Sequence, residues 1–320
     1  MTSRLRFQVP GDVSTSPGHE CTSAETNRLV AQRISQFRTI FIPYPKHIEF
    51  HSRCDYLMEL GRATKGQPQR GMRVLAPSGS GKTTAAQAFI RDVEARFPPH
   101  REQRPVLHVS LDRATTVKKF YASILIEFGD DFTRYRSELE LKQRVIAFLQ
   151  RLECRLLFID EVQHMAKGSG DVTDSLKSLL DLGAVPIVFL GTDEAEDMFS
   201  RNLQFNARLL QPCDFSRLNA TVLEDQQLLR GYWERLDSEI VRLGLMRASS
   251  ELFDPPFLGA LHTVADGVIG RVSRLTEVAL EIATRRGHQC IELQDLSLAT
   301  ERWAMPQGFV KANPFVEIGG

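Results

Sequence analysis

Residues 72 to 88 read MRVLAPSGSGKTTAAQA, and they carry the strongest structural signal in the chain. The apolar residues at the start of this stretch predict a buried strand, and the alanines at its end predict a helix. Between them, Gly79 and Gly81 let the backbone turn so that successive N–H groups point at one anion. Lys82 adds a positive charge at the start of the helix, whose dipole favours the same anion. The stretch therefore predicts a phosphate-binding loop.

This loop departs from the usual pattern at one position, because Ala76 stands where a glycine is expected. The functional side chains are nevertheless present. Lys82 is expected to bind the β- and γ-phosphates of ATP, and the Thr83 hydroxyl is expected to reach Mg²⁺. The predicted nucleotide-binding residues of the loop are Pro77, Ser78, Gly79, Ser80, Gly81, Lys82, Thr83 and Thr84.

A second motif, independent of the first, follows the apolar run at residues 155–159. In a parallel sheet, ligands bind beyond the carboxyl ends of the strands, which is where this run places Asp160 and Glu161. Asp160 is expected to hold Mg²⁺ through water, and Glu161 to act as the general base that polarises the attacking water. An acidic strand end on an ordinary protein surface is the simpler alternative.

Four apolar runs separated by helical patterns predict a parallel sheet covered on both faces. The runs are Met72–Ala76, Val106–Ser110, Arg155–Ile159 and Pro186–Leu190. One run lies between the phosphate loop and the acidic pair, and Thr192 follows the last run, where it could contact the γ-phosphate or position water. This arrangement predicts an α/β fold of the AAA+ P-loop NTPase type, with a central parallel sheet flanked by helices.

Strand patterns stop after about Leu218, and the helical patterns that follow predict a C-terminal all-helical lid. We therefore expect an α/β nucleotide-binding domain over residues 26–218 and the lid over residues 219–304. The polar segment 1–25 and the segment 305–320 are both expected to be flexible.

Composition limits the classes of function. Lys plus Arg and Asp plus Glu both number 40, so any contact with nucleic acid must come from a local basic patch. The five cysteines form no C-x-x-C pair, which argues against a disulfide framework or a zinc site. No signal peptide and no apolar run of about 18 residues is recognised, so we expect a cytoplasmic protein with no membrane partner. His47 and His51 lie four residues apart without a third ligand, which favours ordinary helix surface over a metal site.

Several segments together resemble a known family. They read LFIDEVQHM at 157–165, FLGTDEA at 189–195, NLQFNARL at 202–209 and ADGVIGR at 265–271. These segments resemble the TniB/TnsC family of AAA+ transposition regulators, and the resemblance covers roughly residues 35 to 303. The Arg-Phe pair of the family is Arg208 and Leu209 in this chain.

The resemblance implies an ATPase that assembles into rings or helical filaments around double-stranded DNA. Such a protein passes a target choice made by a target-selecting protein or complex to a transposase. By analogy, Arg208 would reach the γ-phosphate of a neighbouring subunit as an arginine finger. Arg271 would be the lid residue that senses the nucleotide, with Arg274 as its rival. Tyr44 lies in the segment where AAA+ proteins commonly hold the adenine.

The resemblance also implies a DNA contact in the loop and helix start that follow the second strand. Here the cations are Lys118 and Lys119, which point to different parts of a helix surface because they are adjacent. One or two cations per subunit, repeated around an assembly, would neutralise many phosphates and give steep salt dependence with little base readout. A solvated helix start is the alternative reading for either residue.

Two other functions share much of this pattern. A helicase loader or replication initiator would have the same core and lid, although no appended helix-turn-helix is apparent. An ATP-switched scaffold that binds proteins and no DNA is the third possibility. Charge reversal at Lys118 and Lys119 distinguishes the scaffold from the DNA-binding functions, because a scaffold that does not bind DNA should assemble unchanged with ATP.

Overall fold

The computed structural model describes residues 23–97, 103–113, 115–130, 137–165 and 170–318. Most of the predicted N-terminal segment, residues 1–22, lies outside the described residues. The strands are β1 (Gly71–Leu75), β2 (Val106–Ser110), β3 (Leu156–Asp160) and β4 (Ile187–Gly191). The helices are α1 (Ser23–Phe37), α2 (Pro45–Ala63), α3 (Lys82–Arg96), α4 (Val117–Glu127), α5 (Glu138–Arg151), α6 (Gly170–Asp181), α7 (Glu196–Arg201), α8 (Leu203–Asn206), α9 (Leu223–Arg242), α10 (Pro255–Ala265), α11 (Ile269–Arg286) and α12 (Leu293–Ala299).

The four strands form one parallel sheet in the order β1-β4-β3-β2. Their bounds agree with the predicted runs to within one residue, and the fold-class prediction is confirmed. Every residue of β3 and β4 is buried, as expected for central strands that are covered on both faces. The crossovers bring the carboxyl ends of β1, β3 and β4 to the same edge of the sheet, where the phosphate loop and the acidic pair meet.

The chain after α8 extends the sheet beyond β1 without forming a regular strand. The Gly71 N–H donates to the Arg208 carbonyl (3.1 Å), and the Leu210 N–H donates to the Gly71 carbonyl (2.7 Å). Further along, the Cys213 N–H donates to the Arg73 carbonyl (3.1 Å). These bonds satisfy the outer edge of β1 and place Arg208 beside the amino end of that strand.

Alternate side chains of the strands enter two apolar cores, one on each face of the sheet. Leu157 and Ile159 of β3 join the core that contains Phe189. Phe158, between them, joins the opposite core with Phe89 of α3 and lies 6.0 Å from it, ring centroid to ring centroid. The sheet is therefore held rigidly between helices, and its carboxyl edge is a firm base for a site.

Helices α9 to α12 surround a separate apolar core that includes the fully buried Trp233. Helix α1 also packs here, although residues 26–218 were expected to form the nucleotide-binding domain. Its Phe37 enters the lid core, the Arg33 guanidinium donates to Thr284 Oγ1 (3.1 Å), and the Arg38 guanidinium pairs with Glu277 (2.8 Å). The first helix of the described chain thus packs against the lid.

The segment 305–318 differs from the flexible tail that its composition predicted. Phe315 is 1% exposed and its ring centroid lies 5.9 Å from that of Phe257. The Asn313 amide donates to Ser297 Oγ (2.9 Å). The apolar residues of this segment are therefore buried against the lid, and their burial offsets the entropy of ordering the chain. Within the described ranges, no helix is both long and apolar enough to span a membrane.

Candidate functional site

The phosphate loop turns into α3 through two glycines in the left-handed region. Gly79 has φ 80° and Gly81 has φ 89°, conformations that L side chains rarely adopt. Gly81 is the N-cap of α3 and offers no side chain to cap the helix. The first N–H groups of α3 are therefore available to an anion, which the helix dipole also favours.

Lys82 is 7% exposed, and its ammonium group is held by the loop itself. Its Nζ donates to the Ala76 carbonyl (2.8 Å), the Pro77 carbonyl (3.1 Å) and Ser80 Oγ (3.1 Å). Burial lowers the pKa of Lys82, and the nearby carboxylates of Asp160, Glu161 and Asp193 oppose that change. The three oxygens satisfy the hydrogen-bonding capacity of the buried ammonium.

Asp160, at the end of β3, contacts the loop directly. Its Oδ2 accepts from Thr83 Oγ1 (2.6 Å) and from His108 Nε2 (3.2 Å), and its Oδ1 accepts from the Glu161 N–H (2.8 Å). Burial alone would raise the pKa of Asp160, but these hydrogen bonds outweigh it and lower the pKa below its ordinary value. The structure thus joins an ionised carboxylate to a hydroxyl, two oxygen donors of the kind that Mg²⁺ prefers.

Glu161 and Thr192 are linked by Gln163, a residue that sequence reasoning did not single out as functional. The Gln163 Nε2 donates to Glu161 Oε2, and its Oε1 accepts from the Thr192 N–H (3.1 Å). Glu161 has φ 59°, a left-handed conformation that is uncommon for a residue other than glycine. Thr192 Oγ1 is buried and has no hydrogen-bond partner among the described residues. The only sequence signal for this link was a polar residue two positions after the acidic pair.

Arg271 lies in the first turn of α11, which packs directly onto the phosphate loop. A Cβ built on Gly270 would lie 1.9 Å from the Gly79 carbonyl oxygen, so only glycine permits this approach. The Cγ of Arg271 lies 3.6 Å from a Cβ built on Gly79, and Arg271 Nε is buried with no hydrogen-bond partner in the ranges that the structure describes. Arg274 instead pairs with Glu277 (2.6 Å) on the lid surface. Of the two candidate sensors, Arg271 is the one that the structure places at the loop.

His47 differs from the predicted helix surface, because it is 4% exposed and packs against the loop. Its Nε2 lies 3.3 Å from a Cβ built on Gly81. Burial lowers the pKa of His47 to about 4, with the Ile42 backbone opposing the change and His51 adding to it. Tyr44 meets this ring edge-on, with centroids 4.2 Å apart, and is itself buried in the lid core. Both side chains occupy the junction between loop and lid.

Arg208 lies away from the loop of its own chain. Its guanidinium forms a bidentate pair with Asp181, with Nε–Oδ1 at 2.5 Å and a terminal nitrogen to Oδ2 at 2.9 Å, and it also donates to the Gln204 carbonyl. This pair raises the pKa of Arg208 and lowers that of Asp181. Because Arg208 bonds the amino end of β1 and the loop follows its carboxyl end, roughly 15 Å of strand separates them.

Lys118 and Lys119 are exposed in the first turn of α4. The N-cap Thr116 accepts from the Lys119 N–H (3.3 Å), which fixes the start of this helix. Ala114, within the segment predicted to contact DNA, lies outside the described residues. Both lysines thus lie on the surface at the start of the helix that follows β2. This strand forms the edge of the sheet opposite β1.

The residues gathered at the loop fit Mg²⁺ and ATP. Two buried polar atoms of Thr192 and Arg271 have no hydrogen-bond partner in the described part of the chain, and such atoms are costly unless a ligand satisfies them. Gly79 and Gly81 supply the left-handed turns that lead into the uncapped start of α3, and Asp160 with Thr83 supplies oxygen ligands suited to Mg²⁺.

Sheet order, phosphate loop and helical lid together define a P-loop NTPase with the AAA+ fold. Solved structures of ORC and CDC6P proteins share that fold. The Aeropyrum pernix ORC2 protein in ADPNP–ADP complexes is 14% identical, with a TM-score of 0.60 over 85% of this chain and 72% of that chain. The Aeropyrum pernix ORC1 protein in complex with DNA is 18% identical, with a TM-score of 0.60 over 82% and 66%. CDC6P from Pyrobaculum aerophilum is 12% identical, with a TM-score of 0.59 over 84% and 70%.

At these identities the likeness shows the fold alone. A comparison with curated proteins finds no significant match. The family model described as bacterial TniB protein matches residues 33–217, which is more than half of the chain. The chain therefore belongs to the TniB family, and the resemblance seen in its motifs is confirmed.

Proposed function

We propose that this chain is an ATP-dependent, DNA-binding AAA+ regulator of DNA transposition. It assembles on double-stranded DNA and connects a target-selecting protein or complex to a transposase. Membership of the TniB family over residues 33–217 carries this proposal. The arrangement of Lys82, Thr83 and Asp160 around one open helix N-terminus supports the part that concerns ATP.

In the proposed hydrolysis, each group has one task. Lys82 and the loop N–H groups bind the phosphates, while Thr83 and Asp160 hold Mg²⁺. Mg²⁺ held by these two residues would neutralise charge on the phosphate oxygens. Glu161 accepts a proton from the water whose oxygen bonds to the γ-phosphorus as the bond to ADP breaks, and Thr192 orients that water or the γ-phosphate.

The position of Arg208 supports an oligomer. It is too far from its own loop to reach a nucleotide there, and its half-buried guanidinium pairs with a partly exposed Asp181 instead. We propose that Arg208 leaves Asp181 on assembly and completes the site of the neighbouring subunit as an arginine finger. A homo-oligomer, either a ring or a helical filament, follows from this arrangement.

The exposed Lys118 and Lys119 are proposed to contact the DNA backbone. Cytoplasmic location fits the free thiols among the described cysteines, Cys54, Cys154, Cys213 and Cys290. A replication-initiator or helicase-loader function is the second candidate, because the fold neighbours are origin-recognition proteins, one of them solved in complex with DNA.

The deciding experiment is electron microscopy of the purified chain with a slowly hydrolysed ATP analogue, with and without duplex DNA. Rings or filaments should require both ligands and should be absent from Lys82→Ala. Charge reversal at Lys118 and Lys119 should abolish this DNA-dependent assembly, whereas a scaffold that does not bind DNA should assemble unchanged with ATP. Nucleotide-bound particles that ignore DNA at low salt would contradict the DNA-clamp proposal and favour a protein scaffold.

The protein that the assembly binds distinguishes a function in transposition from a function in replication. The assembled protein should capture a transposase encoded near its gene and should not capture a replicative helicase. Capture of the helicase alone would contradict the transposition proposal while leaving ATP and DNA binding intact.

A further inference from the structure

The C-terminal strap, defined here as residues 305–318, reaches from the lid core to the sensor arginine. The ring of Phe309 lies under the Arg271 guanidinium, with Cζ 4.3 Å from the ring centroid. Trp303 contacts that ring edge-on, with centroids 5.3 Å apart at 65°. A residue that the sequence placed in a flexible tail is therefore in contact with the predicted nucleotide sensor.

The position of Phe309 is set by the backbone on either side of it. Gly308 has φ 73°, which turns the chain at the end of the helical turn Thr300–Ala304. The Phe309 N–H then donates to the Ala304 carbonyl (3.0 Å). Further along the strap, Phe315 anchors in the lid core at 1% exposure. The ring is thus presented to Arg271 by a structured segment.

The polar contacts of the Arg271 guanidinium are too few and too long to fix its position by themselves. Its Nε is buried without a partner, and its one carboxylate partner among the described residues, Asp266, lies at 3.5 Å. Asp266 is also the partner of Arg217, with which it forms the shorter contact. Burial lowers the pKa of Arg271, Asp266 opposes that change, and Arg217 adds to it.

A long arginine side chain with so few fixed bonds would ordinarily sample several rotamers, and ordering it on ligand binding would cost affinity. The flat face of an aromatic ring holds a guanidinium by cation–π attraction without using its N–H donors. The donors of Arg271 therefore stay free for a phosphate while its plane is fixed by Phe309. The same arginine approaches the phosphate loop, because its Cγ lies 3.6 Å from a Cβ built on Gly79.

We propose that Phe309 is a positioning residue for Arg271, and that the C-terminal strap sets how strongly the lid responds to the terminal phosphate of ATP. This inference rests on the proposed ATP binding at the loop. It does not depend on DNA binding or transposition. A partner that displaces the strap would lower the affinity of the chain for ATP and leave its affinity for ADP nearly unchanged.

The test measures the affinities of the full chain for a non-hydrolysable ATP analogue and for ADP. Phe309→Leu keeps an apolar side chain but removes the aromatic face. It should lower the affinity for the ATP analogue roughly threefold to tenfold, with little change in the affinity for ADP. Phe309→Tyr keeps the face and should bind as the wild type does. Val310→Ala, the neighbouring half-buried strap residue, should leave the ratio of the two affinities unchanged.

A double-variant cycle shows whether the effect passes through the arginine. Phe309→Leu should add nothing in an Arg271→Ala background, where the guanidinium is already absent. Equal losses for ATP and ADP, an unchanged affinity, or a loss that persists without Arg271 would each overturn the inference. Failure of the wild-type chain to bind either nucleotide would instead overturn the proposed function, and the inference with it.

Discussion

Single side chains at the phosphate site show how neutral groups position charged ones. Gln163 joins the predicted base Glu161 to the backbone after β4, where Thr192 lies. Because this hydrogen bond already fixes the orientation of the carboxylate, little conformational entropy is lost when it accepts a proton from water. The left-handed backbone of Glu161 (φ 59°) adds a second constraint on the same side chain.

Replacement of Gln163 by Leu should lower kcat for ATP hydrolysis about tenfold, because the base would lose its fixed orientation. KM for ATP should change little, since Gln163 makes no contact with the phosphate loop in the described residues. Steady-state ATPase assays measure both constants. Gln150→Leu, an exposed glutamine of α5, is the matched control, and an unchanged kcat in Gln163→Leu would contradict the positioning role.

His47 predicts a pH dependence of stability. Its pKa is depressed by burial from the ordinary value of 6.5 to about 4, so the unfolded chain takes up a proton before the folded chain does. The free energy of unfolding should therefore fall as the pH drops from about 6.5 towards 4, by about 2 kcal/mol between pH 7 and pH 5. Denaturant titrations at the two pH values measure this difference.

The comparison is with His47→Phe, which lacks the titrating group and should lose that share of the pH dependence. Phe41→Leu alters packing beside the same ring without removing a titratable group, and it should keep the full dependence. Equal slopes for His47→Phe and the wild type would show that the histidine is not the group responsible.

Among the secondary-structure elements, the contact of α11 with the phosphate loop is the one that couples lid to site. The contact depends on Gly270, because a Cβ there would overlap the carbonyl oxygen of Gly79 at 1.9 Å. The short distance involves backbone on both sides, so no side-chain rotation can relieve it. Any larger residue must push the helix off the loop.

Gly270→Ala should therefore weaken ATP binding by at least about tenfold and lower stability by about 1–3 kcal/mol, the usual cost of overpacking. Gly259→Ala in the neighbouring helix α10 is the matched control, since nothing lies within 4 Å of its added Cβ. It should leave ATP binding intact and stabilise the helix by about 0.5–1 kcal/mol. Thermal unfolding with and without ATP measures both effects, and wild-type behaviour of Gly270→Ala would refute the contact.

For the whole molecule, the proposed finger role of Arg208 means that one chain holds an incomplete catalytic site. The base Glu161 lies at the carboxyl edge of the sheet, and Arg208 lies at the amino end of β1, paired with Asp181. In the proposed assembly, Arg208 exchanges that ion pair for a phosphate on another subunit. Hydrolysis should therefore rise more than proportionally with protein concentration.

A mixing experiment tests this division of labour. Glu161→Gln and Arg208→Ala should each be inactive alone while still binding ATP. When they are mixed in equal amounts, about a quarter of the interfaces join an intact base to an intact arginine, so about a quarter of the wild-type rate should return. No recovery on mixing, with assembly verified by electron microscopy, would remove the finger role from Arg208.

Local sequence was enough to predict the sheet, the phosphate loop and the acidic strand end. Each is encoded by consecutive residues: five-residue apolar runs form the buried strands, and Gly79 to Thr83 lie within a single turn of chain. The TniB family match confirms the resemblance that those same motifs carried. These features need no knowledge of which distant segments meet.

Packing between distant segments determined the rest. The link through Gln163 depends on β3 and β4 being neighbours, and the burial of His47 depends on α2 lying against the loop. Phe309 meets Arg271 only because the strap folds back over the lid. Helix α1 joins the lid for the same reason. Such contacts arise from apolar burial across long sequence separations, which composition and periodicity do not specify, and they create the coupling between nucleotide, lid and C-terminal strap that we propose.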